Sequence, residues 1–175
     1  MTIQGSGHET DGVTAILEER MATEIPQSME QEFRQWNDGD GISLETWAEC
    51  SGNYALAVGY AALFWPEFKV FGKYILHEYL PTESVTQWET ESHLTPGQIE
   101  AMLNHIHLSD LHPGDERNLT ADKLIFIGNR LKEIYKAKLA WLYPDRPCEV
   151  HFSIPENPDD YRGYELTFWQ KIWDE

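Results

Sequence analysis

Basic residues and cysteines are both scarce in this sequence of 175 residues. The chain has 13 Lys and Arg against 30 Asp and Glu, which gives a formal net charge of −17 at pH 7. A surface of this charge repels DNA, RNA and anionic membranes, so all three are disfavoured as partners. The only cysteines, Cys50 and Cys148, are too few for a disulfide framework, and we expect both to be reduced structural thiols.

The sequence also shows no pattern typical of a targeting segment or a membrane-spanning segment. Residues 1–11 are polar and glycine-rich, without the basic region and apolar core of a signal peptide. The uncharged run at 50–66 is shorter than the roughly 20 residues that a membrane helix needs, and glycines interrupt it. We therefore expect a cytoplasmic protein.

Several familiar catalytic motifs do not occur. The chain has no phosphate-binding loop, dinucleotide fingerprint, Gly-x-Ser-x-Gly elbow or CxxC pair. Cys50 and Ser51 are adjacent, but a nucleophile also needs a base within hydrogen-bond reach, and the sequence places no histidine beside them. The sequence therefore favours a binding protein over an enzyme and predicts no catalytic residue and no cofactor.

Apolar residues are plentiful, at 41% of the chain with 13% aromatic, which is enough for a packed core. We expect a flexible tail at 1–10 and a single globular domain at 11–175. The apolar spacing predicts a mainly α (α+β) fold with five to six helices. Two of these helices have clear start signals, Thr95-Pro96 with Gln98, and Thr120. A weaker apolar face predicts a helix at 13–22.

The most apolar segment contains no charged residue between Glu49 and Glu67. Its helical spacing gives a bulky face and a face of small residues that would allow close helix packing. The bulky face consists of Trp47, Ser51, Tyr54, Val58, Ala61 and Trp65, and the small face of Gly52, Ala55, Gly59 and Ala62. Pro66 is expected to interrupt the segment and begin a second helix. We predict a helical hairpin at about 43–80, buried at the centre of the fold as its scaffold.

The hydrophobic period changes near the end of the chain. Apolar and polar residues alternate at about 148–154 and again at about 163–170, which is typical of strands. The residues between them are rich in Pro, Asn, Asp and Gly, as a turn requires. We predict a C-terminal antiparallel β-hairpin that packs on the helices.

Four potential metal ligands lie within eight residues, His105, His107, Asp110 and His112. Imidazole and carboxylate groups bind zinc and other divalent metals. The run resembles the His-x-His-x-Asp-His motif of the metallo-β-lactamase family, with one extra residue before Asp110 and another before His112. If the preceding helix continues, His105 and His107 point about 200° apart, which argues against a shared metal. The alternative is helix-end histidines that are solvated or bonded to backbone carbonyls.

The turn at 36–42 lies between two predicted helices and reads Trp-Asn-Asp-Gly-Asp-Gly-Ile. It resembles the middle of an EF-hand calcium loop. However, the first and last ligand positions of that loop would fall on Trp36 and Trp47 instead of carboxylates. A structural turn is the competing interpretation.

Charge and two late tryptophans suggest a partner. Residues 1–120 carry 20 acidic and 5 basic side chains. Trp169 and Trp173 are candidate partner-binding residues, because aromatic side chains concentrate in interface hot spots. We hypothesise a small acidic binding protein of the inhibitor, immunity or adaptor type that engages a basic protein through its carboxylates. The alternative is a metal-dependent hydrolase that uses the four ligands at 105–112 with Zn²⁺ or another divalent metal. The oligomeric state is left open.

Overall fold

The computed structural model describes residues 25–91 and 93–174. The predicted tail at 1–10 and the predicted helix at 13–22 lie outside the described residues. The described part contains six α-helices and two antiparallel sheets, which confirms the α+β class. The helices are α1 Gln27–Phe33, α2 Leu44–Ser51, α3 Tyr54–Phe64, α4 Thr82–Glu91, α5 Pro96–Leu103 and α6 Ala121–Leu142. The strands are β1 Phe68–Phe71, β2 Tyr74–His77, β3 Ile106–His107, β4 Cys148–Ser153 and β5 Glu165–Gln170.

The second half of the predicted helical hairpin is wrong. Strands β1 and β2 form an antiparallel hairpin in which Phe71 pairs with Tyr74, so the loop consists of Gly72 and Lys73. Gly72 has a φ of +58°, which glycine adopts at little cost and which two-residue hairpin loops favour. All four residues of β2 are buried. This β-hairpin therefore occupies the central place that we predicted for a helix.

The predicted C-terminal hairpin is confirmed. Strands β4 and β5 pair antiparallel from Cys148 with Gln170 to Ser153 with Glu165. Strand β3 adds to the other edge of β5, so the sheet order is β3-β5-β4. Helix α6 crosses this sheet and comes closest to it at Gly128, where a side chain would overlap the Phe152 ring. The main apolar core lies between α6 and the sheet.

Helix α5 joins the two sheets through polar side chains one turn apart. The capping box at Thr95 and Gln98 is present and begins this helix as predicted. Glu100 accepts hydrogen bonds from the backbone N–H of Ile75 in β2 at 2.6 Å and of Gln170 in β5 at 2.8 Å. Asn104 accepts from the His77 N–H at 3.2 Å and donates to the Ile75 carbonyl at 2.8 Å. These side chains thus satisfy backbone groups of β2 in place of a neighbouring strand.

The buried Glu100 carboxylate has two further donors. The side-chain amide of Gln170 donates to Oε1 at 2.6 Å, and the indole N–H of Trp173 donates to Oε2 at 2.6 Å. Glu100 is fully buried, and four donors therefore replace the water that an ionised carboxylate loses on burial. Within the described residues, no helix is both long and apolar enough to cross a membrane.

Candidate functional site

The uncharged helical segment is divided into α2 and α3 by an extended break. The Ser43 hydroxyl accepts from the Thr46 N–H and begins α2, and the Asn53 side chain accepts from the Leu56 N–H and begins α3. Gly52 lies between them with a ψ of 174°. A side chain at Gly52 would run into the Ala48 carbonyl, so glycine suits this position. The local sequence therefore starts a second helix in a new direction.

Helix α3 lies on the outside of the molecule, contrary to the prediction that it is buried scaffolding. Every residue from 48 to 59 is exposed, and α3 contains no buried residue. Tyr54 is 92% exposed and Val58 72% exposed. These two residues belong to the bulky face that we predicted to face the core. The face that carries the large side chains instead points to solvent.

Within the described residues, only the later turns of α3 contact the rest of the fold. The Tyr60 and Phe64 rings stack at 5.4 Å, and Phe64 packs against the main core. At the end of the helix, the buried Lys138 ammonium donates to the Trp65 carbonyl at 3.2 Å and to Glu67 at 3.1 Å. The Trp65 ring also lies 6.3 Å from the ring of Trp141 in α6. These contacts fix the position of α3 while leaving its outer face uncovered.

The result is an exposed apolar surface, which we call the α3 surface. It consists of Tyr54, Val58, Ala61 and Trp65, which follow one another at helical spacing, together with Trp141. Trp65 is 46% exposed and Trp141 69% exposed. Exposed apolar patches rimmed by polar residues are typical of interaction sites. The α3 surface is therefore our candidate functional site.

Carboxylates precede and follow the α3 surface in the sequence. Glu45 and Glu49 lie on α2 before it, and Glu67 follows it. Hydrogen bonds from the Glu45 backbone amide and the Ser43 hydroxyl lower the pKa of Glu45, so this carboxylate is ionised at neutral pH. Glu67 is 73% exposed although it pairs with Lys138. Carboxylates therefore flank the apolar surface along the sequence.

The predicted metal ligands do not form one site. His105 and His107 are neighbours with ring centroids 5.1 Å apart. Helix α5 ends at Leu103, so the condition under which the two rings would point about 200° apart is not met. The His107 ring donates to the Arg162 carbonyl, whereas His112 bonds the hydroxyl of Tyr60 in α3. Asp110 lies exposed on a short 3-10 helix, Leu108–Leu111. Within the described residues, no group of three His, Cys, Asp or Glu side chains could hold a metal ion.

The calcium-loop interpretation of residues 36–42 gains no support from the geometry. Asn37, Asp38 and Gly39 form a 3-10 turn, and Asn37 and Asp38 both have positive φ. Trp47, at the last ligand position of the resemblance, donates its indole N–H to Glu32 at 2.9 Å. The segment is a tight turn between α1 and α2.

The predicted partner-binding tryptophans are both engaged within the chain. The Trp169 indole donates to Asp174 at 2.9 Å, and Trp173 donates to the buried Glu100. Both side chains are partly buried, and Trp173 packs on Gly97, where a Cβ would lie 2.7 Å from it. Trp173 thereby holds the end of the chain against α5, and a role for either residue in partner binding stays a prediction.

The two cysteines occupy different environments. Cys50 is exposed on α2, contrary to the expectation of a buried structural thiol. Cys148 is partly buried at the start of β4, and burial raises its pKa to about 12. Cys148 is therefore protonated and unreactive at neutral pH.

Comparison with known proteins finds no matching family model, no matching curated protein and no matching solved structure. Function is therefore inferred from the geometry of this chain alone.

Proposed function

We propose that the protein is an acidic binding protein that uses the α3 surface to engage a basic amphipathic segment of another protein. The apolar face of the partner would cover Tyr54, Val58 and Trp65. Its Lys and Arg side chains would approach the carboxylates beside the surface. This proposal keeps the basic partner expected from the sequence and moves the contact to α3.

The observation that carries the proposal is the exposure of an uncharged helix. Helix α3 has 11 residues, none of them charged and none buried. An amphipathic surface helix normally turns its apolar side to the core and a charged side to water. The first two turns of α3 have neither a buried apolar side nor a charged side. A partner that covers them would bury the apolar side chains that this fold leaves exposed.

Charge supports a basic partner over an acidic one. The chain has a net charge of −17, so an acidic partner would be repelled before contact. Complementary charge accelerates association and selects partners, while apolar contact contributes most of the binding free energy. A partner with an apolar stripe flanked by Lys and Arg satisfies both requirements.

A synthetic amphipathic helix of leucine and lysine tests this proposal directly, with a leucine and glutamate helix of the same length as the matched probe. We expect the full chain to bind the lysine helix in a fluorescence anisotropy titration and to show no binding of the glutamate helix. The affinity should fall as NaCl rises from roughly 50 mM to roughly 500 mM, because salt screens the charge attraction. Equal binding of both probes would contradict the proposal.

The substitution Val58→Ser tests whether α3 makes the contact. Burial of a valine side chain contributes about 1.5 kcal/mol or more, so we expect at least about a tenfold loss of affinity. The matched control is Ile172→Ser, since Ile172 is 65% exposed and lies in the separate C-terminal 3-10 helix Lys171–Asp174. Unchanged affinity of Val58→Ser would place the contact elsewhere.

Two other possible occupants of the α3 surface are distinguished by the affinity for the lysine helix and by sedimentation. If residues 1–24 covered the surface, their deletion would strongly raise the affinity for the lysine helix. If a second copy covered it, sedimentation would detect a dimer that Val58→Ser dissociates. We expect a monomer whose affinity changes little on deletion. A cytoplasmic location remains an expectation from the sequence.

A further inference from the structure

A concave surface lies between the end of α3 and the β1–β2 hairpin. It is a cleft of about 480 Å³, within the usual size range of small-molecule sites. Most of its wall is apolar and comes from four separate parts of the chain. The lining residues used here are Leu63, Pro66, His77, Tyr79, Ile106 and Tyr135.

His77 is the unusual residue of this cleft. It is 1% exposed, and neither ring nitrogen has a hydrogen-bond partner within the described residues. The ring is enclosed by aromatic side chains at centroid distances of 5.2 Å to Phe68, 5.7 Å to Tyr135 and 5.5 Å to Phe168. An unpaired buried polar group is costly, and a valine or phenylalanine would fill the same space without that cost. A bound hydroxyl group would give the imidazole a partner.

The Tyr79 ring lies against one face of the imidazole. It stacks on His77 at a centroid distance of 5.1 Å and an interplanar angle of 25°. Tyr79 is nevertheless 67% exposed, so little packing opposes its rotation away from His77. Rotation of Tyr79, which lines the cleft together with His77, would widen the cleft beside the imidazole.

The charges around the cleft restrict the ligand further. Glu67 and Glu78 also line it, so an anion would be repelled. Burial lowers the pKa of His77 to about 4, and the neutral ring then offers one N–H donor and one nitrogen acceptor at pH 7. Burial also raises the pKa of Tyr135, so its hydroxyl stays protonated. These groups match a neutral ligand with one hydroxyl.

We propose that this cleft binds a small neutral aromatic alcohol, whose ring lies among Leu63, Pro66 and Tyr135 and whose hydroxyl hydrogen-bonds the His77 imidazole after Tyr79 moves aside. The site is independent of the α3 surface proposed above, since it needs no protein partner. Its specificity lies in the hydroxyl group, because the apolar wall alone would accept any ring of this size.

p-Cresol and toluene with the full chain are the matched probes, because they differ only in the hydroxyl. We expect saturable NMR shifts of the Leu63 and Ile106 amides with p-cresol, and a shift of the ¹⁵N-labelled His77 ring. The dissociation constant for p-cresol should be at least about fivefold lower than that for toluene. The substitution His77→Phe keeps the packing and should remove this preference.

Tyr79→Ala provides an independent test that does not alter the core. Opening the cleft should raise the affinity for p-cresol severalfold, whereas Ile172→Ala should leave it unchanged. The proposal is overturned if p-cresol gives no saturable shift with either the wild type or Tyr79→Ala. It is also overturned if p-cresol and toluene bind equally well to the wild type, or if the His77 ring bonds a long-lived water that p-cresol does not displace.

Discussion

Replacement of Glu100 by glutamine tests how the two sheets are held together. The carboxylate accepts two hydrogen bonds at each oxygen, from Ile75 and the Gln170 side chain at Oε1, and from the Gln170 backbone and Trp173 at Oε2. A glutamine side chain has the same shape but only one acceptor oxygen. Whichever way its amide is oriented, the new NH₂ group faces two donors that have lost their acceptor.

The expected cost follows from those two donors. A buried donor left without a partner costs about 1–3 kcal/mol, so the pair costs about 2–6 kcal/mol. Burying a neutral amide costs less free energy than burying a carboxylate, and this difference offsets part of the loss in stability. We therefore expect Glu100→Gln to lower the free energy of unfolding by about 2–3 kcal/mol.

Urea denaturation measures this change, with an unchanged m-value as the check on two-state unfolding. The matched control is Glu133→Gln, because the Glu133 side chain is 60% exposed and pairs with Arg130 at 3.0 Å. We expect that control to change stability by less than about 0.5 kcal/mol. The indole N–H resonance of Trp173 should also shift in Glu100→Gln. A stability change below about 0.5 kcal/mol, or a stabilisation, would refute the role assigned to the four hydrogen bonds.

Two further predictions concern packing and pH. Gly128→Ala should destabilise the protein by about 1–3 kcal/mol in urea denaturation, because the new methyl group overlaps the Phe152 ring. By contrast, a Cβ at Gly59 would have no neighbouring heavy atom within 4 Å, so Gly59→Ala should stabilise α3 by up to about 1 kcal/mol. Equal effects of the two substitutions would contradict the close packing of α6 on the sheet. Burial lowers the pKa of His77 from 6.5 to about 4, so the unfolded chain takes up a proton first as the pH falls. The wild type should therefore lose about 3 kcal/mol between pH 6.5 and pH 4 relative to His77→Phe, and parallel pH profiles of the two proteins would show that His77 is not buried as a neutral ring.

The sequence predicted those elements whose signals are local. Thr95 and Gln98 satisfy both partners of a capping box, and α5 begins there. The alternation at the end of the chain is long enough to identify β4 and β5, because six residues sample both faces of a strand three times. Both predictions depend only on neighbouring residues, so tertiary contacts did not have to be known.

The β1–β2 hairpin was missed because its strands have only four residues each. Phe68, Phe71 and Ile75 are spaced three and four apart, which also fits one face of a helix. The distinguishing signal was Gly72-Lys73 between two β-branched and aromatic runs, which is typical of a two-residue hairpin loop. A short apolar run therefore fits both patterns, and the turn residues decide between them.

The candidate site was missed for a different reason. Apolar composition indicates that a surface avoids water, but it does not say whether the same chain or a partner covers it. The sequence therefore identified the correct face of α3, with Tyr54 and Val58 together, and placed it on the wrong side. His77 gave no local signal at all, because its burial depends on Phe68 of the paired strand and on Tyr135 and Phe168 of two distant elements.

Thiol reactivity at position 58 tests the exposure of the α3 surface most directly. Val58→Cys would be introduced together with Cys50→Ser, while partial burial and a raised pKa slow the reaction of Cys148. We predict that the new thiol in the free full-length chain reacts with a water-soluble disulfide about as fast as a cysteine in an unstructured peptide, and that the leucine and lysine helix protects it. Slow reaction in the free chain, or fast reaction that the lysine helix does not change, would contradict an open recognition surface on α3.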